Sequence, residues 1–330
     1  MPRVVVYGSL GHLLPAYDET PALEKFLYGP DPGRFSAARL RNPQGMTFSQ
    51  GRILVCDQGF PDILAIDPAT GRIAGFGESD HPPRCPVDIT ADAEGQTYVA
   101  DTTLRVVLVY GADRRFLAEL RPPGASPDSF RPAGVLAHGG ILYVGNLAAR
   151  RIDRFDIARG TWLPPFAPSG TALPLIAPTG LAAGPDGELL VVDALQGVVH
   201  RVTAEGRWLI PIGKPGRGPG QFVRPKQVRC TASGLIFVSD AGRQSVLVFD
   251  ATGRFQFEIG GGAGEGGRFS LPMGLVTLQT PDLPVLTRRL ADHPELASQE
   301  CVIVSDSLGG ESLVVIGVVA RAGEDATDGH

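Results

Sequence analysis

The stretch from 224 to 260, RPKQVRCTASGLIFVSDAGRQSVLVFDATGRFQFEIG, decides the fold. It opens at Arg224-Pro225 with a short strand-like run, turns at Ser233-Gly234 and climbs through Leu235 to Val238 to reach Asp240. A turn from Ala241 to Gln244 leads into the apolar run Val246 to Phe249. A further turn, Asp250 to Gly253, leads into the run Phe255 to Ile259. Short apolar runs joined by turns that bear Gly and Asp predict one four-stranded antiparallel sheet. Parallel pairing would need crossovers longer than any of these connections.

The unit recurs along the chain. Its opening proline returns as Pro43, Pro86, Pro132, Pro178, Pro225 and Pro272, at spacings of 43 to 47 residues. The acidic end of the second strand returns as Asp57, Asp101, Asn146, Asp193, Asp240 and Asp306, five of them 14 or 15 residues after their proline. In the sixth unit the distance is 34, because residues 278 to 300 form an insertion. Four-stranded units repeating at this period predict an all-β, six-bladed β-propeller, since no single sheet buries both its faces alone. A residue used in every unit at a strand end reads as structural: its carboxylate can accept backbone N–H groups of the next turn.

The boundaries follow from the same pattern. Residues 1–23 form an extension expected to pack outside as an extra strand and loop. Residues 24–319 form the propeller, and 320–330 an acidic, disordered tail. Residues 24–35, EKFLYGPDPGRF, match the closing segments at 208–222 and 255–269. Phe26 to Tyr28 is therefore the strand expected to complete the last blade beside Leu313 to Val319, closing the ring and removing two open edges. The insertion is expected to carry a short helix around Thr287 to Leu290 and to emerge on one face.

The blade pattern resembles the NHL repeat. The resemblance is carried by Pro132-Ala133-Gly134-Val135, Thr97-Tyr98-Val99-Ala100-Asp101, Arg105-Val106 and Val248-Phe249-Asp250-Ala251-Thr252-Gly253, and it spans about residues 24 to 319. It implies a propeller and leaves activity open, because NHL propellers include interaction scaffolds, RNA binders and a few enzymes. The opening Pro2-Arg3 to Tyr7-Gly8-Ser9 resembles free-standing bacterial members that are secreted or lipid-anchored. This likeness implies a non-catalytic interaction module accompanying a multihaem cytochrome or envelope assembly, in the periplasm or at the cell surface. A complete N-terminus at Met1 would imply the cytoplasm instead, and no signal peptide is recognisable there.

Composition narrows the classes. Of 330 residues 43% are hydrophobic, enough for a large core, and the formal net charge of -5 provides no global attraction for nucleic acid or acidic lipid. No run of 18 apolar residues is present to span a membrane. Cys56, Cys85, Cys230 and Cys301 form no Cys-x-x-Cys. Repeat position makes Cys56 with Cys85 and Cys230 with Cys301 candidate disulfides, which would imply an oxidising compartment. Four free thiols are the other reading.

Chemistry is sought in the channel, which the first strands line. Just after the opening proline four units place Gly45, Gly134, Gly180 and Gly274, whereas blades two and five place Asp88 and Gln227. With Lys226 these form a candidate polar binding site at the channel mouth. It is the basis of the alternative reading, a metal-dependent lyase or hydrolase. No cofactor is indicated, and no histidine spacing makes a metal set; propellers of the amidating-lyase type, which this fold resembles, hold zinc with channel histidines. The run Gly260 to Gly264 precedes no helix and so makes no phosphate cradle. From Arg201 to Arg229 basic residues prevail. Arg207, Lys214, Arg217, Arg224 and Arg229 form a candidate patch for an acidic protein partner, without the exposed aromatics that RNA readers stack on bases.

Overall fold

A computed structural model describes residues 3–9, 40–60, 62–70, 72–76, 81–166, 174–261, 269–284, 286–287, 298–308 and 313–319. The strands form six blade sheets around a ring, besides a short parallel pair, Lys214–Pro215 with Gln221–Phe222. In the fifth, the inner strand Pro225–Cys230 pairs with Ile236–Asp240, then Ser245–Phe249, then the outer strand Phe255–Gly260, each antiparallel to the last. Blades 1, 2 and 3 repeat this order from inner strands Pro43–Ser49, Pro86–Ala91 and Pro132–His138. Blade 4 has three regular strands, Pro178–Ala183, Leu189–Asp193 and Val198–Val202. Its fourth place is held by two isolated bridges, Val199 to Ile212 and Val202 to Trp208.

The reason for a ring is visible in where the apolar residues go. Side chains alternate between the two faces of a strand, and here the two faces feed different cores. Leu235, Phe237, Val246 and Val248 pack with blade 6, while Ile236, Val238, Leu247 and Phe249 pack with blade 4. All six principal apolar clusters lie between adjacent blades, blade 6 with blade 1 included. A blade taken alone would present both apolar faces to water.

The sixth blade departs from expectation in one respect. Its sheet runs Pro272–Gln279, Glu300–Asp306, Leu313–Val319, and its outer place is taken by Arg3–Ser9, antiparallel from Arg3 opposite Val319 to Ser9 opposite Val314. Phe26 to Tyr28, the strand expected there, lies outside the described residues. So do the tail and Arg288 to Leu290 of the expected helix; Thr280–Asp282 forms a 3-10 turn.

Glycine at four inner positions follows from how closely the inner strands approach at the axis. A Cβ on Gly45 would run into Asp88 Oδ1, and one on Gly180 into Gln227 Oε1. On Gly274 it would collide with the backbone carbonyl of Gln44. Backbone of the adjacent inner strand is close at all three, Asp88 Cα at 2.6 Å for Gly45 and Lys226 O at 2.7 Å for Gly180, and backbone cannot rotate away. Gly274→Ala is therefore expected to destabilise by about 1–3 kcal/mol, read as a lower urea midpoint at unchanged slope. An unchanged midpoint would mean that the inner strands are free to part.

Candidate functional site

The channel residues singled out in the sequence do come together, inside the ring and not at its mouth. Asp88 and Gln227 are both buried, and Gln227 Nε2 donates to Asp88 Oδ1 at 3.0 Å across the axis from blade 5 to blade 2. Asp88 Oδ2 accepts the Val135 amide of blade 3 at 3.0 Å. Arg229 lies in the same channel, its Nη1 donating to Leu181 O at 2.9 Å in blade 4 and its Nη2 to Met46 O at 3.2 Å in blade 1. One polar plug thus ties five blades. Burial pushes the Asp88 carboxyl up to about 6, against the opposing pull of Arg229 and of its hydrogen bonds. Lys226 beside it is half-buried, and burial lowers its pKa, with Arg224 adding to the effect.

This set does not fit a divalent metal. Both Asp88 oxygens are engaged, and the neighbouring positive charge is a guanidinium that a cation would have to displace. Among the described residues no three His, Cys, Asp or Glu side chains group as ligands. The raised pKa carries a stability consequence. The folded value lies above the unfolded one, so the contribution of neutral Asp88 is complete below about 3.8 and is lost as pH rises through about 6. Asparagine cannot ionise. Relative to the native chain, Asp88→Asn is expected to gain up to about 3 kcal/mol between pH 3.5 and 7.5. Paired urea titrations at the two pH values check this, and a relative loss on raising the pH would contradict it.

Two further assignments are corrected. Arg207, Lys214, Arg217 and Arg224 are exposed, but Arg229 turns into the channel and belongs to no surface patch. The four cysteines are free thiols. Cys301 packs between blades 6 and 1 whereas Cys230 packs against the layer between blades 4 and 5, so different interfaces separate them. Cys56 is buried between blades 1 and 2, while Cys85 Sγ accepts the Gln58 amide at 3.3 Å. The support that disulfides would have lent to an oxidising compartment goes with them.

At the strand ends the repeated acids are saturated by amides. Asp240 Oδ2 accepts Val223 N at 2.7 Å, and Oδ1 accepts Arg224 N, Gly242 N and Arg243 N at 2.9–3.0 Å. Asp57, Asp101, Asp193 and Asp306 accept from the corresponding backbone positions. Asn146 does the same with Oδ1, and its Nδ2 donates to Ser129 O at 3.1 Å. These ends define one face of the ring, here termed the anchor face.

The opposite face holds a cleft of about 500 Å³ where the inner strands of blades 4, 5 and 6 end. Thr231, Ala232 and Gly234, in the turn after the inner strand of blade 5, form one wall. Gly234 takes φ +85°, which glycine adopts without strain, so that its N–H reaches Thr231 O at 2.9 Å. That tight turn presents Ser233 to Glu300, the first residue of the second strand of blade 6. Ser233 Oγ donates to Glu300 Oε2 at 2.6 Å and Ser233 N donates to Oε1 at 3.1 Å, while Thr231 Oγ1 lies 2.9 Å from Ser233 Oγ. Glu300 is only 7% exposed. The insertion supplies Gln279 and Asp282, held by Leu283 and Leu286 in the core between blades 6 and 1 and by the bond from Thr280 N to Gln299 O. Cys230 also lines the cleft, but burial pushes its thiol up to about 11, with Glu188 and Glu300 adding to the shift. A thiol so protonated is a poor nucleophile. Sequence reading passed over this site: Ser233 read as a turn residue, and Glu300 closes an insertion 67 residues away.

No family model and no curated protein matches the chain. Solved structures do. A streptogramin B lyase aligns at 16% identity over 86% of this chain and 95% of its own, with a TM-score of 0.58. A gluconolactonase from Xanthomonas campestris aligns at 13% over 85% and 87%, TM-score 0.60. The nidogen/laminin complex aligns at 19% over 66% and 80%, TM-score 0.52. At these identities the likeness establishes the class, a six-bladed β-propeller. The expectation of a non-catalytic interaction module is nonetheless overturned, because the solved structures sharing this fold over most of both chains include a lyase and a lactonase.

Proposed function

We propose that the protein is an enzyme of the lyase or hydrolase type that binds a small molecule in the cleft between blades 4, 5 and 6. One observation carries the reading: a buried carboxylate, Glu300, that lines a cleft of about 500 Å³ and accepts the Ser233 hydroxyl at 2.6 Å. Glu300 acts as general base. In a hydrolysis it takes a proton from the water that adds to the acyl carbon, and returns it to the departing oxygen. In an elimination it takes a proton from carbon while the leaving group departs with its electron pair. Ser233 orients the carboxylate. Among the described lining residues there is no Lys, Arg or His, so the substrate is neutral or cationic, and an anion is disfavoured by Glu300 and Asp282. Within the propeller class, the recurrence of Pro-x-Gly at Pro43, Pro132, Pro178 and Pro272 supports an NHL-type blade.

A panel of neutral and amine-bearing lactones and esters, beginning with gluconolactone, tests this by acid release with a pH indicator, alongside ultraviolet detection of new double bonds. Turnover above the spontaneous rate with at least one member is expected. Folded protein that accelerates none of them would overturn the reading.

A further inference from the structure

The anchor face, remote from the cleft, carries its own asymmetry. The connector entering each inner strand donates amides to the acid at the strand end, which holds that connector at the rim of the channel. In blades 1, 2, 3 and 5 this connector presents Arg41, Arg84, Arg131 and Arg224, all exposed. Their backbone amides bond the Asp57, Asp101 and Asp240 carboxylates and the Asn146 amide oxygen, so these strand-end acceptors are engaged by the main chain and do not pair with the guanidinium groups. Among the described residues none of the four forms an ion pair; Arg41 instead lies 3.9 Å above the Phe60 ring. The face is cationic on a protein whose net charge is -5.

Apart from Arg224 of blade 5, the other half of the face is apolar. Leu195 and Leu308, at the turns after Asp193 and Asp306, are 74% and 73% exposed, and Ile176 and Val223, on the connectors of blades 4 and 5, are each 37% exposed. Four of the six large exposed hydrophobics among the described residues therefore lie on this face, in the adjacent blades 4, 5 and 6. Scattered singly such residues need no explanation, but gathered beside a cationic rim they form a two-part surface.

We infer that the anchor face is a docking surface for an acidic segment of a partner protein that carries apolar side chains, the acids on the arginines of blades 1 to 3 and the apolar groups on blades 4 to 6. Charge complementarity selects the acidic partner. The apolar half selects protein over nucleic acid, whose phosphates would find nothing to pair with on Leu195 or Leu308.

A fluorescent peptide of about twelve residues, roughly 40 Å when extended, with leucines in one half and glutamates in the other, is the probe. Anisotropy on the full chain is expected to show saturable binding that weakens as salt rises. The pairs Arg84→Glu with Arg131→Glu, and Leu195→Ser with Leu308→Ser, are each expected to weaken it at least about tenfold. All four side chains are surface groups, and an unchanged Tm verifies the fold. No saturation up to about 1 mM, binding by either variant as tight as that of the native chain, or tighter binding of a twelve-nucleotide single strand would overturn the inference. So would concentration-dependent dimerisation that both variants abolish, because the face would then be a contact between two copies.

Discussion

Replacing Glu300 by glutamine is expected to lower kcat by about 10²- to 10⁴-fold with the fold intact. The amide keeps the size of the side chain and an oxygen for the Ser233 N–H, and the Ser233 hydroxyl can rotate to accept from the new NH2 group, so packing at this buried position survives. What glutamine lacks is the ability to take a proton. The loss should therefore fall on kcat rather than KM. Ser233→Ala removes only the hydrogen bond that orients the base and should cost less, on the order of tenfold. If Glu300→Gln kept activity within threefold on the best substrate of the panel, the assigned base would be wrong.

Asp240→Ala is expected to destabilise the protein by about 3–5 kcal/mol by urea denaturation. The side chain is fully buried and accepts four amides, two from the connector entering blade 5 and two from the turn that follows it. Alanine leaves these donors without an acceptor. Water reaching the part-buried ones limits the loss to less than four full penalties. Asp240→Asn should be milder, about 1–2 kcal/mol. Asn146 shows why: its Oδ1 serves three amides, but its Nδ2 needs an acceptor such as Ser129 O, whereas the same position in blade 5 meets the Val223 N–H, a donor. An alanine variant within 1 kcal/mol of the native chain would remove the anchors from the account of what holds each blade.

The fold was legible because its information is local. Pro225, the turn at Ser233-Gly234 and Asp240 lie within sixteen residues, and a strand, its turn and its partner need nothing from elsewhere. The inner glycines were legible too, as the complement of Asp88 and Gln227. Arg229 was misread as surface because the alternation of the inner strand is broken: the register shifts between Pro225 and Gln227, so counting outward from the proline misjudges which side chains enter the channel. The outer strand of blade 6 was misassigned because Phe26 to Tyr28 carries the better pattern match, and the place is taken by Arg3–Ser9.

By itself the sequence determined that there are six antiparallel blades, that none is stable alone, and that the repeated acids cap strand ends, since each of these depends on contacts within one period or on a count of periods. Only the tertiary structure decided that Asp88, Gln227 and Arg229 plug the channel, that Glu300 meets Ser233, and that arginines and leucines divide the anchor face. Those meetings are made by rotation from blade to blade about the axis, which brings together residues tens to more than a hundred positions apart, and no local pattern records where that rotation sets a side chain down.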